Sequence, residues 1–172
     1  MYGINIFDKI KMPLDWEMVY YGIKKNFFDI DIAQEFACRK LENDKQLSEE
    51  ELELCWNSNN RLDILELIEK ILDSQGNVKE SIERAKDKIR IAIIIYLRET
   101  EKDKARLLEQ INMIYADFDY PEDMEKFISY MPICDEFVPA SRTLEDNTNY
   151  LLSKLDIFIE EQQEKYQLKI KM

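Results

Sequence analysis

The sequence predicts an all-α fold, a single-domain multi-helix bundle or a short array of stacked helix pairs over residues 1–172, and three observations predict it. Only three Gly and four Pro punctuate the 172 residues, so helix breakers and tight-turn formers are scarce. The Leu, Ile, Glu and Lys content between them favours helices. Apolar residues recur at steps of three and four, the period of a helix with one face turned to a core. An apolar content of 45% is enough to build one core in a chain of this length.

Pro13 and Asp15 precede Trp16, Val19, Tyr20 and Ile23, which predicts a helix from Asp15 to about Asn26 with Asp15 as its N-cap. After Asp29-Ile-Asp, a second helix places Ile32, Phe36, Ala37 and Leu41 on one side. Ser48 followed three positions later by Glu51 is the reciprocal capping pattern, and opens a short helix through Trp56 that Asn57-Ser-Asn-Asn ends. Leu62, Leu65, Ile68 and Ile71 or Leu72 mark a helix from about Arg61 to Asp73, closed at Gly76-Asn77. Val78, Ile82, Ala85, Ile89, Ala92, Ile93 and Tyr96 then line one side of a long helix.

The end of that helix, Ile89 to Leu97, is apolar nearly all round. Its β-branched residues also suit a buried strand, but the helical spacing upstream runs on unbroken and no pairing strand is evident, which favours a central buried helix. Thr100-Glu-Lys-Asp-Lys opens the next element, with Leu107, Leu108, Ile111, Ile114 and Tyr115 facing inward. Pro121 suits the first turn of a short helix through about Tyr130. Pro132 and Pro139 predict an irregular loop over Met131 to Arg142, and Leu144, Leu151, Leu155, Phe158 and Ile159 define a closing helix. Trp16, Tyr20, Trp56, Phe127 and Phe158 fall on apolar stripes and are expected in the core, whereas Tyr120 is as well placed to stay exposed as to staple a turn.

With 24 basic and 36 acidic side chains the net charge is -12. A polyanion such as nucleic acid, or an anionic membrane surface, is repelled on average, while encounter with a basic protein is accelerated. Cys38, Cys55 and Cys134 form no C-x-x-C pair, and free thiols in a reducing cytoplasm are the simpler reading. No basic flank followed by an apolar stretch opens the chain, and the longest apolar run, Ile91 to Leu97, is far short of the ~20 residues that span a bilayer. Cytoplasmic localisation is the expectation.

The sequence holds no histidine, which removes Ser-His-Asp and Cys-His arrangements, His-ligated zinc and the usual general base near neutral pH. Gly3, Gly22 and Gly76 cannot be written into either glycine-loop motif that cradles phosphates. Asp117-Phe-Asp119 offers carboxylates for a hard cation, but a calcium loop begun there sets Glu122 where Gly is required and Ile128 where an acid is required. No cofactor, no metal and no catalytic residue are expected.

What remains is a segment in which acids alternate with aromatic residues. Tyr115 to Asp123 holds Asp117, Asp119, Glu122 and Asp123 with Tyr115, Phe118 and Tyr120, and no Lys or Arg. Aromatic rings supply stiff contact area and carboxylates supply directional acceptors, so the pattern suits recognition of a basic protein. A second acidic cluster runs from Glu42 and Asp44 to Glu49, Glu50, Glu51 and Glu53, with Lys45 its one base. Its acids favour a helix N-terminus through the dipole and also suit a partner contact. The candidate partner-binding residues are Asp117, Asp119, Tyr120, Glu122, Asp123, Glu49, Glu50 and Glu53.

Leu14-Asp15-Trp16-Glu17 with Tyr20-Tyr21-Gly22, and Ala116-Asp117-Phe118-Asp119-Tyr120-Pro121-Glu122 with Tyr130-Met131-Pro132, resemble the segments shared by a small bacterial family of uncharacterised proteins. The resemblance spans most of the chain. It implies a role like that of the immunity proteins of bacterial toxin systems, which bind and neutralise one toxin domain, and it carries over no catalytic residue. The leading expectation is an acidic intracellular immunity protein that blocks a basic partner by occlusion and is not an enzyme. A helical adaptor or assembly protein using the same acidic face is the first alternative, and a histidine-free enzyme working through carboxylates and a divalent ion is the second.

Overall fold

A computed structural model of the chain describes residues 1–43, 46–56, 60–75, 78–132 and 143–168, with the backbone alone for residues 75 and 78–80. Its regular elements are α1 (Asn5–Ile10), α2 (Trp16–Lys24), α3 (Asp31–Glu42), α4 (Glu49–Trp56), α5 (Arg61–Gln75), α6 (Val78–Thr100), α7 (Lys104–Asp117), a 3-10 helix (Glu122–Phe127) and α8 (Leu144–Lys165). The fold is all-α. Among the described residues the sole β pairing is an isolated parallel bridge between Tyr2 and Phe28. The chain divides into two compact units, Met1–Ile89 and Arg90–Met172.

In the first unit, α1 was not foreseen. It is only six residues long and begins without a side-chain cap, so it carries no start signal. It forms because Ile6, Phe7 and Ile10 bury one side of it, and it stops where Lys11 turns left-handed at φ 54°. The next helix starts as expected, with the Asp15 carboxylate accepting from the Met18 N–H at 2.8 Å. It is buried almost all round rather than on one stripe, since Met18, Tyr21 and Gly22 join Trp16, Val19, Tyr20 and Ile23 inside. Gly22 is fixed by a close approach, because a Cβ there would lie 2.0 Å from the buried Phe28 ring. That ring meets Phe7 edge-on at 5.5 Å.

Further along the unit, α4 packs on α3 and α5, and α5 on α2. The inward stripe of α5 is Ile64, Leu67, Ile68, Ile71 and Leu72, rotated from the expected one, and Leu62 is 77% exposed. Leu41 is exposed as well. The larger correction concerns Trp56, expected in the core and found 76% exposed. The inner face of α4 is set by Glu51, Leu54 and Cys55, and Trp56 follows Cys55 onto the outer side.

The second unit is built on the apolar end of α6. Ile91, Ala92, Ile93, Ile94 and Ile95 are all buried, in a helix and not a strand, and each fully buried Ile contributes about 1.5–3 kcal/mol. Leu107, Leu108, Ile111, Ile114 and Tyr115 turn inward from α7 as expected, behind an Asp103 N-cap. Leu151, Leu155, Phe158 and Ile159 do the same from α8, whereas Leu144 is exposed. Leu144 stands at the first position after Thr143, whose hydroxyl and backbone form a capping box with Asp146. Arg98 donates to both Asp156 oxygens at 2.7 and 3.0 Å, tying α6 to α8. The expected helix after Pro121 is present as a shorter 3-10 helix ending at Phe127.

No helix among the described residues is long and apolar enough to cross a membrane. Asp44, Lys45, residues 57–59, the Gly76-Asn77 turn, Cys134 and residues 133–142 of the expected loop lie outside the described residues.

Candidate functional site

The acid and aromatic segment follows α7, and its geometry begins with the way that helix ends. Phe118 is the buried C-cap. The Tyr120 N–H donates to the Tyr115 carbonyl at 2.9 Å and the Asp119 N–H to the Ala116 carbonyl at 3.2 Å, the paired bonds of a Schellman cap. Such a cap asks for a left-handed residue, usually Gly. Here Asp119 (φ 65°) and Tyr120 (φ 56°) both take that conformation, which costs about 1–3 kcal/mol for each non-glycine residue.

The apolar contact that accompanies this cap is aromatic. Tyr120 meets Tyr115 edge-on at 5.2 Å, and Tyr130 lies tilted against the same ring at 6.3 Å. Tyr115 is 3% exposed, but Tyr120 and Tyr130 are 61% and 58% exposed. Two tyrosines therefore stand on the surface with their rings held by a third beneath them. Burial, then the charge of Glu125, raises the Tyr115 phenol above its ordinary value. Below the surface, Met124 and Phe127 are fully buried, with Phe127 5.0 Å from Phe158. Asn112 fixes the turn before Tyr130 by donating to the Ser129 hydroxyl at 2.6 Å and accepting from the Ser129 N–H at 3.2 Å.

Asp117, Asp119, Glu122 and Glu125 are exposed in the same segment, as is Lys126. Asp123 has a different occupation. Both of its oxygens accept from Arg90, one from Nη2 at 2.8 Å, and the Arg90 side chain is 5% exposed. A guanidinium taken that far out of water requires its counter-ion, so Asp123 anchors the 3-10 helix to α6 while its neighbours face solvent.

The second predicted cluster lies on α4. Glu49 and Glu53 are exposed and Glu50 is half-buried, with its carboxyl held below the usual range by its own backbone N–H and the Ser48 hydroxyl. Glu51 leaves this group for the interior. It accepts from the Trp16 indole at 2.6 Å, from Lys40 and from the Ser48 N–H at 3.0 Å. The capping pattern was legible in sequence, but its second use, as the partner of Trp16 and Lys40, had no local signal.

A cleft of about 410 Å³ is lined by Tyr20, Lys24, Glu69, Leu72, Asp73, Ile82 and Glu83. Within it the Tyr20 hydroxyl donates to Glu69 and accepts from Lys24 at 2.6 Å, so these groups satisfy one another. Burial and Glu69 raise the Tyr20 phenol, the wrong direction for a base. Cys38 and Cys55 carry free thiols, and burial with the adjacent Cys38 pushes Cys55 to about 11, a thiol rather than a nucleophilic thiolate. Among the described residues no group of three or more Cys, Asp or Glu is placed to hold a metal ion.

Fold and surface together define an acidic all-α protein that displays aromatic rings among carboxylates. The chain belongs to the bacterial family described as "Uncharacterized protein conserved in bacteria (DUF2247)", whose model matches residues 4–163. No curated protein and no solved structure matches it.

Proposed function

We propose that this protein binds a basic protein partner through the Tyr120 and Tyr130 surface and neutralises it by occlusion, in the manner of an immunity protein facing its cognate toxin domain. The observation that carries the reading is the pair of exposed rings seated on buried Tyr115, in a segment that also exposes Asp117, Asp119, Glu122 and Glu125. Rigid aromatic anchors with an acidic rim supply what a partner rich in Lys and Arg requires: holding energy from the rings, and encounter speed and orientation from the charges. A net charge of -12 adds long-range attraction to such a partner. A toxin that acts on nucleic acid offers a basic cleft of this kind, and carboxylates can stand there in place of phosphates.

The test is co-expression with the protein encoded beside it. The reading expects a lethal neighbour whose toxicity this chain relieves; a harmless neighbour removes it. With the complex in hand, Asp119→Lys with Glu122→Lys slows association and lowers its salt dependence, whereas Tyr120→Ala mainly speeds dissociation, by about 30-fold for a hot spot of about 2 kcal/mol.

A further inference from the structure

The outer face of α4 presents a second combination of the same kind. Glu49, Leu52, Glu53 and Trp56 follow one another at steps of three, one and three, so they share one side of the helix. The opposite side, Glu51, Leu54 and Cys55, is buried. On the outer side Trp56 is 76% exposed and Leu52 39% exposed. An isolated exposed apolar residue is ordinary, but two on one helical face one turn apart, with carboxylates beside each, make a patch.

We infer that this face docks a basic segment of another protein, with an Arg or Lys over the Trp56 ring, an apolar residue against Leu52, and further cations at Glu49 and Glu53. A tryptophan face is the best aromatic seat for a cation, and guanidinium suits it best because it stacks and is weakly hydrated. Charge selects the occupant. Among the described residues Lys70 is one nearby base, and it pairs with Glu66 at 3.1 Å, with Glu53 and Glu50 also acting on it. A second copy of this chain would set Glu49 and Glu53 against their own kind, at a net charge of -12 on each partner, and anionic lipid or nucleic acid meets the same repulsion. The surface is reached without any residue of the 115–130 segment, so it stands or falls apart from the reading above.

The full chain labelled with 5-fluorotryptophan gives two fluorine resonances, and Trp56→Phe assigns them. The probe is a short amidated peptide with Arg and Leu at helical spacing; the control carries Glu in place of each Arg. The Arg peptide should shift the Trp56 resonance saturably and leave that of Trp16, which is 3% exposed, in place. Glu49→Lys combined with Glu53→Lys should weaken binding at least about tenfold, with unchanged helicity and an unmoved Trp16 signal showing that the fold is kept. A Trp56 resonance that ignores the Arg peptide, or that answers both peptides alike, overturns the inference. So does a doubly substituted variant that binds undiminished. A dimer in sedimentation that Trp56→Ala abolishes assigns the face to a second copy and overturns it too.

Discussion

In residues 14–22, Asp15 caps α2 and accepts from Lys88 at 2.8 Å, Trp16 donates to Glu51 and meets Phe36 edge-on at 4.8 Å, and Tyr20 shares its hydroxyl between Glu69 and Lys24. Residues 116–132 contain the same mixture of acid and aromatic, yet there Asp117, Glu122, Tyr120 and Tyr130 face solvent. The difference separates residues that folding requires from residues that folding merely carries. In the first segment, removing the Trp16 indole leaves the buried Glu51 carboxylate short of a donor, and removing the Asp15 carboxylate leaves the Met18 N–H uncapped. In the second, Phe118, Met124, Phe127 and Ile128 are buried, Asp123 is held by Arg90 and Ser129 by Asn112, while Asp117, Glu122, Tyr120 and Tyr130 present their side chains to solvent.

The sharpest contrast is expected at Gly22. Its Cβ position lies 2.0 Å from a ring buried among Phe7 and α2, and the Gly22 carbonyl accepts from Phe27 and Phe28 N–H groups at 2.8 and 3.1 Å, so neither ring nor backbone can withdraw cheaply. Gly22→Ala should destabilise by about 3 kcal/mol, read as a lower urea midpoint at constant slope, against less than about 1 kcal/mol for Tyr120→Ala. Equal losses at the two positions would dissolve the distinction.

A second contrast is in pH. Burial pushes the Glu51 carboxyl upward, but Lys40, the Ser48 N–H and the Trp16 indole together outweigh it and leave the pKa lowered. A carboxylate depressed in the folded state contributes its full stability above the unfolded pKa of about 4.3, and loses it as pH falls through the lower folded value. Glu51→Gln should therefore lose about 2 kcal/mol at pH 7, and the gap to the parent should close below about pH 4.3. Glu122→Gln, on the exposed segment, should cost less than about 0.5 kcal/mol at pH 7. Thermal melts across pH 3 to 7 separate the two.

The all-α class, the Asp15 cap and the inward stripes of α7 and α8 were legible because each is written in local spacing and capping chemistry. The Ile-rich end of α6 was legible for the same reason: its helical period continues from upstream. Trp56 departs from the expected apolar stripe because α4 carries two apolar residues on each side, Leu52 with Trp56 and Leu54 with Cys55, and the buried Glu51 fixes which side is inner. That position could be recognised only through Lys40 and Trp16, which are distant in sequence. Arg90 and Asp123 illustrate the same limit in the candidate site, where one of several adjacent acids is claimed by a buried cation 33 residues away.

The smallest effect carries the most information about Asp119. Its φ of 65° is one that Gly takes without strain, so Asp119→Gly should relieve the cap, while the added freedom of the unfolded chain offsets part of that gain. A net stabilisation of about 0.5 kcal/mol is expected, measured by the urea midpoint, together with slower association with a basic partner because a rim carboxylate is gone. Stability and binding would then move in opposite directions at a single residue, as strain stored at a binding surface predicts. A destabilised Asp119→Gly would mean that the side chain itself secures the turn, and residue 119 would join Asp15 and Asp123 among the acids that folding requires.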